Sequence, residues 1–279
     1  MTIRAVVGIL CLAGVATAAD DAVELRYRFR AGESLPTRVA HRALTETTMN
    51  GTTQTVETMT DSTKTWKVVA VDDAGRATID QSVDDVVMTS RTSDRGEVRW
   101  RATGDAEPPP GYEAVRASLG KPLVRLVVEA DGRVIERREL LPCPPPSTGD
   151  LVVVPLPQGR VEVGHEWTVP QELVVEAPGG LRKAVRTRIR YRLSAVADGI
   201  ATIAVDTTVL TPVDEPQLEA RLLERIWNGR IRFDVMAGRI VERTTAIDSR
   251  VVGFGGPQSC VRYKASLEER AVDEQRSGD

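Results

Sequence analysis

The chain is short of the residues on which most enzyme and metal chemistry depends. It holds only two histidines, His41 and His165, in 279 residues, and zinc and acid–base sites lean on imidazole. His165-Glu166 opens like a zincin motif, but no second histidine follows at the required spacing, and Thr168-Val169-Pro170 reads as strand. No Gly-x-Ser-x-Gly elbow and no Walker loop occurs. Gly253-Phe254-Gly255-Gly256 lacks the Lys-Ser/Thr pair of a phosphate loop and reads as a turn near a strand end. Aromatics make up 4%, thin for a carbohydrate platform or a base-stacking surface. A net charge of −3 offers no long-range field toward nucleic acid or an anionic membrane. No cofactor and no metal is expected.

Long apolar runs are lacking too. The longest, in residues 5–16, is too short to span a bilayer, which needs about twenty residues. Arg4 before it and Ala16-Thr17-Ala18 after it make residues 1–19 read as a secretory signal peptide. The mature protein is then expected to be exported, to the periplasm or beyond the cell, with no integral membrane segment. Cys11 follows Leu10 rather than a small residue, which argues against a lipidated cysteine. Of the three cysteines, Cys143 and Cys260 remain after cleavage and form a candidate disulfide. Such a bond would close a loop of over a hundred residues and restrict the unfolded chain by ~4–5 kcal/mol. Two unpaired thiols are the alternative.

What the chain does have is repetition. Gly32-Glu33 is answered by Gly164-His165; residues 66–79 (WKVVAVDDAGRATI) by 191–203 (YRLSAVADGIATI); and 132–137 (GRVIER) by 238–243 (GRIVER). Three collinear matches predict a duplicated unit of about 110–130 residues, an ordinary domain size. The expected division is a signal peptide (1–19), a first β-rich repeat (20–141), a proline-rich linker (142–150), a second repeat (151–270) and a disordered tail (271–279).

Strand signals dominate both halves. Val23, Leu25, Tyr27 and Phe29 alternate with charges, the period of a strand with one wet face. Residues 188–195 and 230–235 repeat the pattern. Asn50-Gly51 is a strong type I′ hairpin signal and predicts a long threonine-rich ribbon over 36–71 whose tip projects into solvent, carrying a solvent-facing His41. Helices are few. Asp214 reads as the cap of a helix carrying Leu218, Leu222 and Ile226 and ending at Asn228-Gly229; Tyr112, Val115 and Leu119 read as a second. The predicted fold is mainly β (β-rich α+β): two tandem antiparallel-sheet units, each with one short helix on a curved sheet. One continuous sheet with both helices on its concave face is the alternative.

Carboxylates offer little more. Asp72-Asp73 lies at a turn, and adjacent strand residues such as Asp84-Asp85 face opposite ways. The Arg133/Glu136 and Arg239/Glu242 pairs of the repeated phrase read as exposed cross-strand ion pairs.

The opening strand with its Gly-Glu phrase (27–33), the Thr/Met-rich ribbon (45–60), the hairpin at 195–203 and the strand at 229–238 resemble a family of bacterial exported β-rich proteins described as a domain of unknown function. The resemblance implies an extracytoplasmic β-rich fold and carries no site residue. The leading expectation is a non-enzymatic cell-envelope protein binding an unidentified partner or ligand, with the ribbon edges available to add a strand. The alternative is a carrier of an apolar, lipid-like ligand held between the sheet and the helix faces of Val115, Leu119, Leu222 and Ile226. A hydrolase using carboxylates such as Asp84 or Asp234 is the third reading.

Overall fold

The computed structural model describes residues 22–109, 112–141, 153–177 and 180–272. The signal segment, the linker with Cys143 and the chain from 273 onward lie outside the described residues. Fourteen strands and two short helices make up the described chain: β1 (Val23–Glu24), β2 (Ser34–Met49), β3 (Thr52–Val71), β4 (Ala77–Thr92), β5 (Gly96–Arg101), α1 (Glu113–Ser118), β6 (Val124–Val128), β7 (Val134–Glu139), β8 (Arg160–Val161), β9 (Glu166–Ala177), β10 (Leu181–Ala197), β11 (Ile200–Val209), α2 (Pro216–Leu222), β12 (Asn228–Asp234), β13 (Arg239–Val252) and β14 (Cys260–Ala271). The fold is mainly β, as expected. No described helix is long and apolar enough to cross a membrane.

All but β1 and β8 belong to one antiparallel sheet, ordered β7-β6-β4-β3-β2-β14-β13-β12-β11-β10-β9, with β5 beside β4. The predicted ribbon is present, with Asn50 and Gly51 at positive φ and Met49 opposite Thr52. Its edges are not free, however. β14 pairs with β2 from Cys260↔Thr48 to Ala271↔Thr37, and β4 pairs with β3 from Val56↔Thr92 inward. The two halves therefore share a sheet, joined at β2–β14, and strand addition along the ribbon is ruled out over most of its length. β14 also runs to Ala271, into the expected tail.

The sheet curls. Its apolar face carries Val68, Ile79 and Leu126 toward one edge and Leu193, Ile203 and Phe233 toward the other, and these residues form one core cluster. β6 and β10 stand eight strand steps apart, which would be about 38 Å on a flat sheet. Leu25, Tyr27, Val153, Val154 and Leu156 fill the space between.

Residues 25–30 make this filling possible. They keep the predicted alternation, with Leu25 and Tyr27 buried and Arg26, Arg28 and Arg30 exposed, but only Val23 and Glu24 form a strand, against β8. The rest crosses the mouth of the curl. The Tyr27 amide donates to Ala130 O (2.8 Å), in the β6–β7 turn, and the Arg28 amide to Gly238 O (3.0 Å), in the β12–β13 turn. Tyr27 Oη accepts from Val154 N (2.8 Å) and donates to Val154 O (3.2 Å), while its ring meets Phe233 edge-on at 5.4 Å. The glycines of the repeated GRxxER phrase lie in these two turns. A Cβ on Gly132 (φ +82) would stand 2.2 Å from Val154 O and 2.7 Å from the Tyr27 ring; one on Gly238 (φ +63) would stand 2.5 Å from Arg28 Cγ.

The charges of that phrase pair across strands only in part. Arg133 pairs with Glu129, and Arg239 reaches Glu33 at 3.6 Å. Glu242 lies 3.2 Å from Arg232, and Arg243 forms a buried pair with Glu269. Glu242 and Arg243 thus meet their register partners on the neighbouring strands β12 and β14, Arg133 pairs within its own turn, and Arg239 reaches the loop residue Glu33.

Replacing Tyr27 by Phe leaves the buried Val154 N–H unpaired and should destabilise the protein by ~1–3 kcal/mol. Gly132→Val should cost more, about 3 kcal/mol or above. Urea unfolding followed by circular dichroism measures both, and unchanged midpoints would refute the cross-segment's role.

Candidate functional site

The concave face is closed at one end by the cross-segment and flanked at the other by the helices. α2 buries Leu218 and Leu222 on Val175 of β9 and Val185 of β10. α1 sets Val115 and Leu119 against Val86, Trp100 and Ala102, and the Arg116 guanidinium lies 5.9 Å over Trp100. Val185 shares a face with Ile189 and Tyr191 four and six positions on, so α2 lies on the concave side. Strand register does the same for Val86 through Ser62 and Val39.

The four predicted ligand-facing residues are not brought together. Val115 and Leu119 belong to the α1 cluster, while Leu222 and Ile226 belong to that of α2. Ile226 is not helical either. α2 ends at Leu222, a 3-10 turn covers Leu223–Arg225, and Ile226 is extended (φ −113°, ψ 114°). The N-cap is Glu215, without a side-chain cap bond, and it pairs instead with Lys183 at 3.0 Å. Asn228-Gly229 opens β12 rather than ending a helix. Asn228 Oδ1 accepts from Thr207 N (2.8 Å), extending the β11 pairing, and Gly229 admits close packing on β13, where a Cβ would meet Thr244 O at 2.0 Å.

Trp227 is the residue that sequence reasoning missed. It is buried on Val39, Ala265 and Leu267, with its indole N–H donating to Glu224 O at 3.1 Å. Its carbonyl accepts from Thr207 Oγ1 at 2.8 Å. His41 faces it, ring centroids 6.1 Å apart, so this histidine lies on the concave face and not toward solvent. His165 is exposed and stacks on Trp167 at 6.2 Å.

Beside Trp227 the concave face opens into a trough of about 590 Å³. Its floor is the cross-strand pair Ala43↔Ala265, and Ile226, Ile247, Thr58 and Ser249 surround it. Two alanines side by side leave the hollow that larger side chains would fill. Tyr263, two residues along β14 from Ala265, packs on the same cluster. Burial, then the Glu224 carboxylate, pushes its hydroxyl up to about 12. Two other hollows have charged residues in their walls: about 390 Å³ beside Arg38, Asp61, Asp85 and Arg101, and about 600 Å³ beside Glu24, Arg76, Glu129 and Asp131.

The carboxylates considered for hydrolysis lie on different elements. Asp84 accepts from Thr65 Oγ1 (2.6 Å) and Ser82 Oγ (3.2 Å), whereas Asp234 accepts from the amides of Met236 (2.9 Å) and Ala237 (2.8 Å). Asp72 is held below the usual carboxylate range by hydrogen bonds from the Arg76 amide and side chain. Among the described residues no three His, Cys, Asp or Glu side chains are grouped to hold a metal. Cys260 has no disulfide partner among the described residues, and its Sγ accepts from Arg250 Nε at 2.7 Å; its proposed partner Cys143 lies outside them.

No family model matches the chain, and no curated protein does. Among solved structures, one described as "Lipid-protein interactions in lipovitellin" superimposes with a TM-score of 0.50 at 10% identity, covering 88% of this chain and 26% of that one. The chain thus spans about a quarter of that protein's length, and the likeness concerns the fold alone. The structure of DynF from the dynemicin biosynthesis pathway of Micromonospora chersina covers 96% of this chain and 95% of its own at 8% identity, with a TM-score of 0.22, too low to carry an argument.

Burial, opposed by the positive charge of Arg243, pushes Tyr191 up to about 12, while an unfolded chain ionises tyrosine near pH 10. A raised folded value favours the protonated native state. Its contribution is complete below about pH 10 and is lost as pH rises toward 12. The tyrosinate absorbance that Tyr191→Phe removes should therefore appear only as circular dichroism is lost in that window, and its appearance at pH 10 in still-folded protein would contradict it.

Proposed function

We propose that this chain is a non-enzymatic, exported binding protein that carries an apolar, lipid-like ligand in the trough beside Trp227. The observation that carries the reading is the trough itself: about 590 Å³, within the ~300–1,000 Å³ of ordinary ligand sites, with two alanines for a floor. Of the helix-face residues named by sequence the proposed seat keeps Ile226 alone; it is Ala43, Ile226, Ile247 and Ala265. The lipovitellin structure, described in terms of lipid–protein interactions, supports a lipid-like ligand through a shared fold only. Export rests on residues 1–19.

The chain also reads as a duplicated unit. In the first half Gly32 N donates to Val68 O and Val68 N to Glu33 O; in the second, Gly164 N donates to Leu193 O and Leu193 N to His165 O. The matched phrases thus make matched bonds, and the cross-segment touches the equivalent turn of each half.

A dansylated fatty acid titrated into the mature protein should bind saturably and quench Trp227 by energy transfer. Ala43→Phe, which fills the floor, should weaken binding at least about tenfold with little change in melting temperature. Non-saturable binding, or equal affinity in the filled variant, would overturn the proposal.

A further inference from the structure

The net charge of −3 conceals a local array of arginines on the outside of the curl. Along β10 the residues alternate between the core and the convex face: Val185, Thr187, Ile189 and Tyr191 are buried, while Arg186, Arg188, Arg190 and Arg192 are exposed. Period-two spacing puts these four guanidinium groups in a row, about 7 Å between neighbours. Two strands away, about 10 Å across the sheet, Arg230 and Arg232 of β12 project from the same face. Register fixes the arrangement, because Arg192 lies opposite Ala204 and Ala204 opposite Arg230. The strand between offers the short side chains of Thr202, Ala204 and Thr208, leaving the arginines standing proud.

Few of these charges are neutralised. Asp206 lies 3.4 Å from Arg190 and Glu242 lies 3.2 Å from Arg232. Arg186, Arg188, Arg192 and Arg230 make no ion pair among the described residues. The glutamates of β9 lie at the margin, opposite Arg186 and Arg192 (Glu172 and Glu166), whereas Arg188 and Arg190 face Pro170 and Thr168.

We propose that this face docks on an anionic phospholipid surface, with the concave trough turned away from it. The array is two-dimensional, spread over two strands of the convex sheet face, which suits the phosphates of a surface rather than of a single strand. Single-stranded nucleic acid is instead held by a basic groove interleaved with aromatic platforms, and β9–β12 present no aromatic side chain on this side. The inference rests on arginine placement alone and stands whether or not the trough takes a lipid.

The test is co-sedimentation of the full mature chain with phosphatidylcholine vesicles and with vesicles containing phosphatidylglycerol. Binding should require phosphatidylglycerol and fall steeply between about 50 and about 300 mM salt, as exposed charges become screened. Arg188→Glu with Arg192→Glu should lower binding at least about tenfold. Arg91→Glu with Arg95→Glu changes the net charge equally on the distant β4–β5 hairpin and should leave binding within about twofold of wild type. Arg188→Gln with Arg192→Gln serves if the reversal impairs folding, as judged by circular dichroism. Equal binding to both vesicle types, equal loss in the two glutamate variants, or tighter binding to an oligonucleotide than to the vesicles would each overturn the proposal.

Discussion

The curl of the sheet depends on six residues that scarcely join it. Without the 25–30 segment, the apolar faces of β3, β4 and β6 would stand far from those of β10, β11 and β12, each exposed to water. Leu25 and Tyr27 occupy the intervening space, and the amides of Tyr27 and Arg28 bond to turns at opposite sides. Burial of a large aromatic brings a sizeable apolar contribution, and the Tyr27 hydroxyl loses nothing because both Val154 backbone groups receive it. Burial raises the Tyr27 hydroxyl pKa, partly opposed by its bond with Val154, as expected of a phenol held in its neutral form.

Closing one end of the curl leaves the other free to vary. Near the cross-segment the concave face is packed with Ile, Leu, Val and aromatic side chains. Farther along, β2 and β14 turn to Ala43 and Ala265, and the floor drops away beside Trp227. Stiffness and hollowness are thereby separated along the strands: a packed core holds the curvature, and a thinly furnished stretch of the same face makes room. The outside of the curl follows a third rule, because convex positions of a two-sided sheet carry whatever charge the alternate residues supply.

Much of the local structure was legible. Alternation placed Leu25 and Tyr27 inside, Asn50-Gly51 made the hairpin, and the matched phrases marked matched turns. Failures came where two local signals had the same appearance. Asn228-Gly229 suits a helix end, yet Asn228 serves a strand partner and Gly229 admits β13; no neighbouring residue reveals which. His41 was placed outward because threonines surround it, although its parity with Val39 and Ala43 puts it on the concave face. Trp227 carried no periodic signal, since it lies in an irregular link between helix and strand.

By itself the sequence determined the strands, their inward and outward faces and the tight turns, because period-two alternation and positive-φ turn chemistry act between neighbours. It could not determine that β14 returns to pair with β2, that both halves share one curled sheet, or that Ala43 meets Ala265 at the floor of a trough. Those are pairings between residues more than two hundred positions apart. They are decided by burying both apolar edges on a single cross-segment, a gain that exists only once the whole chain has closed.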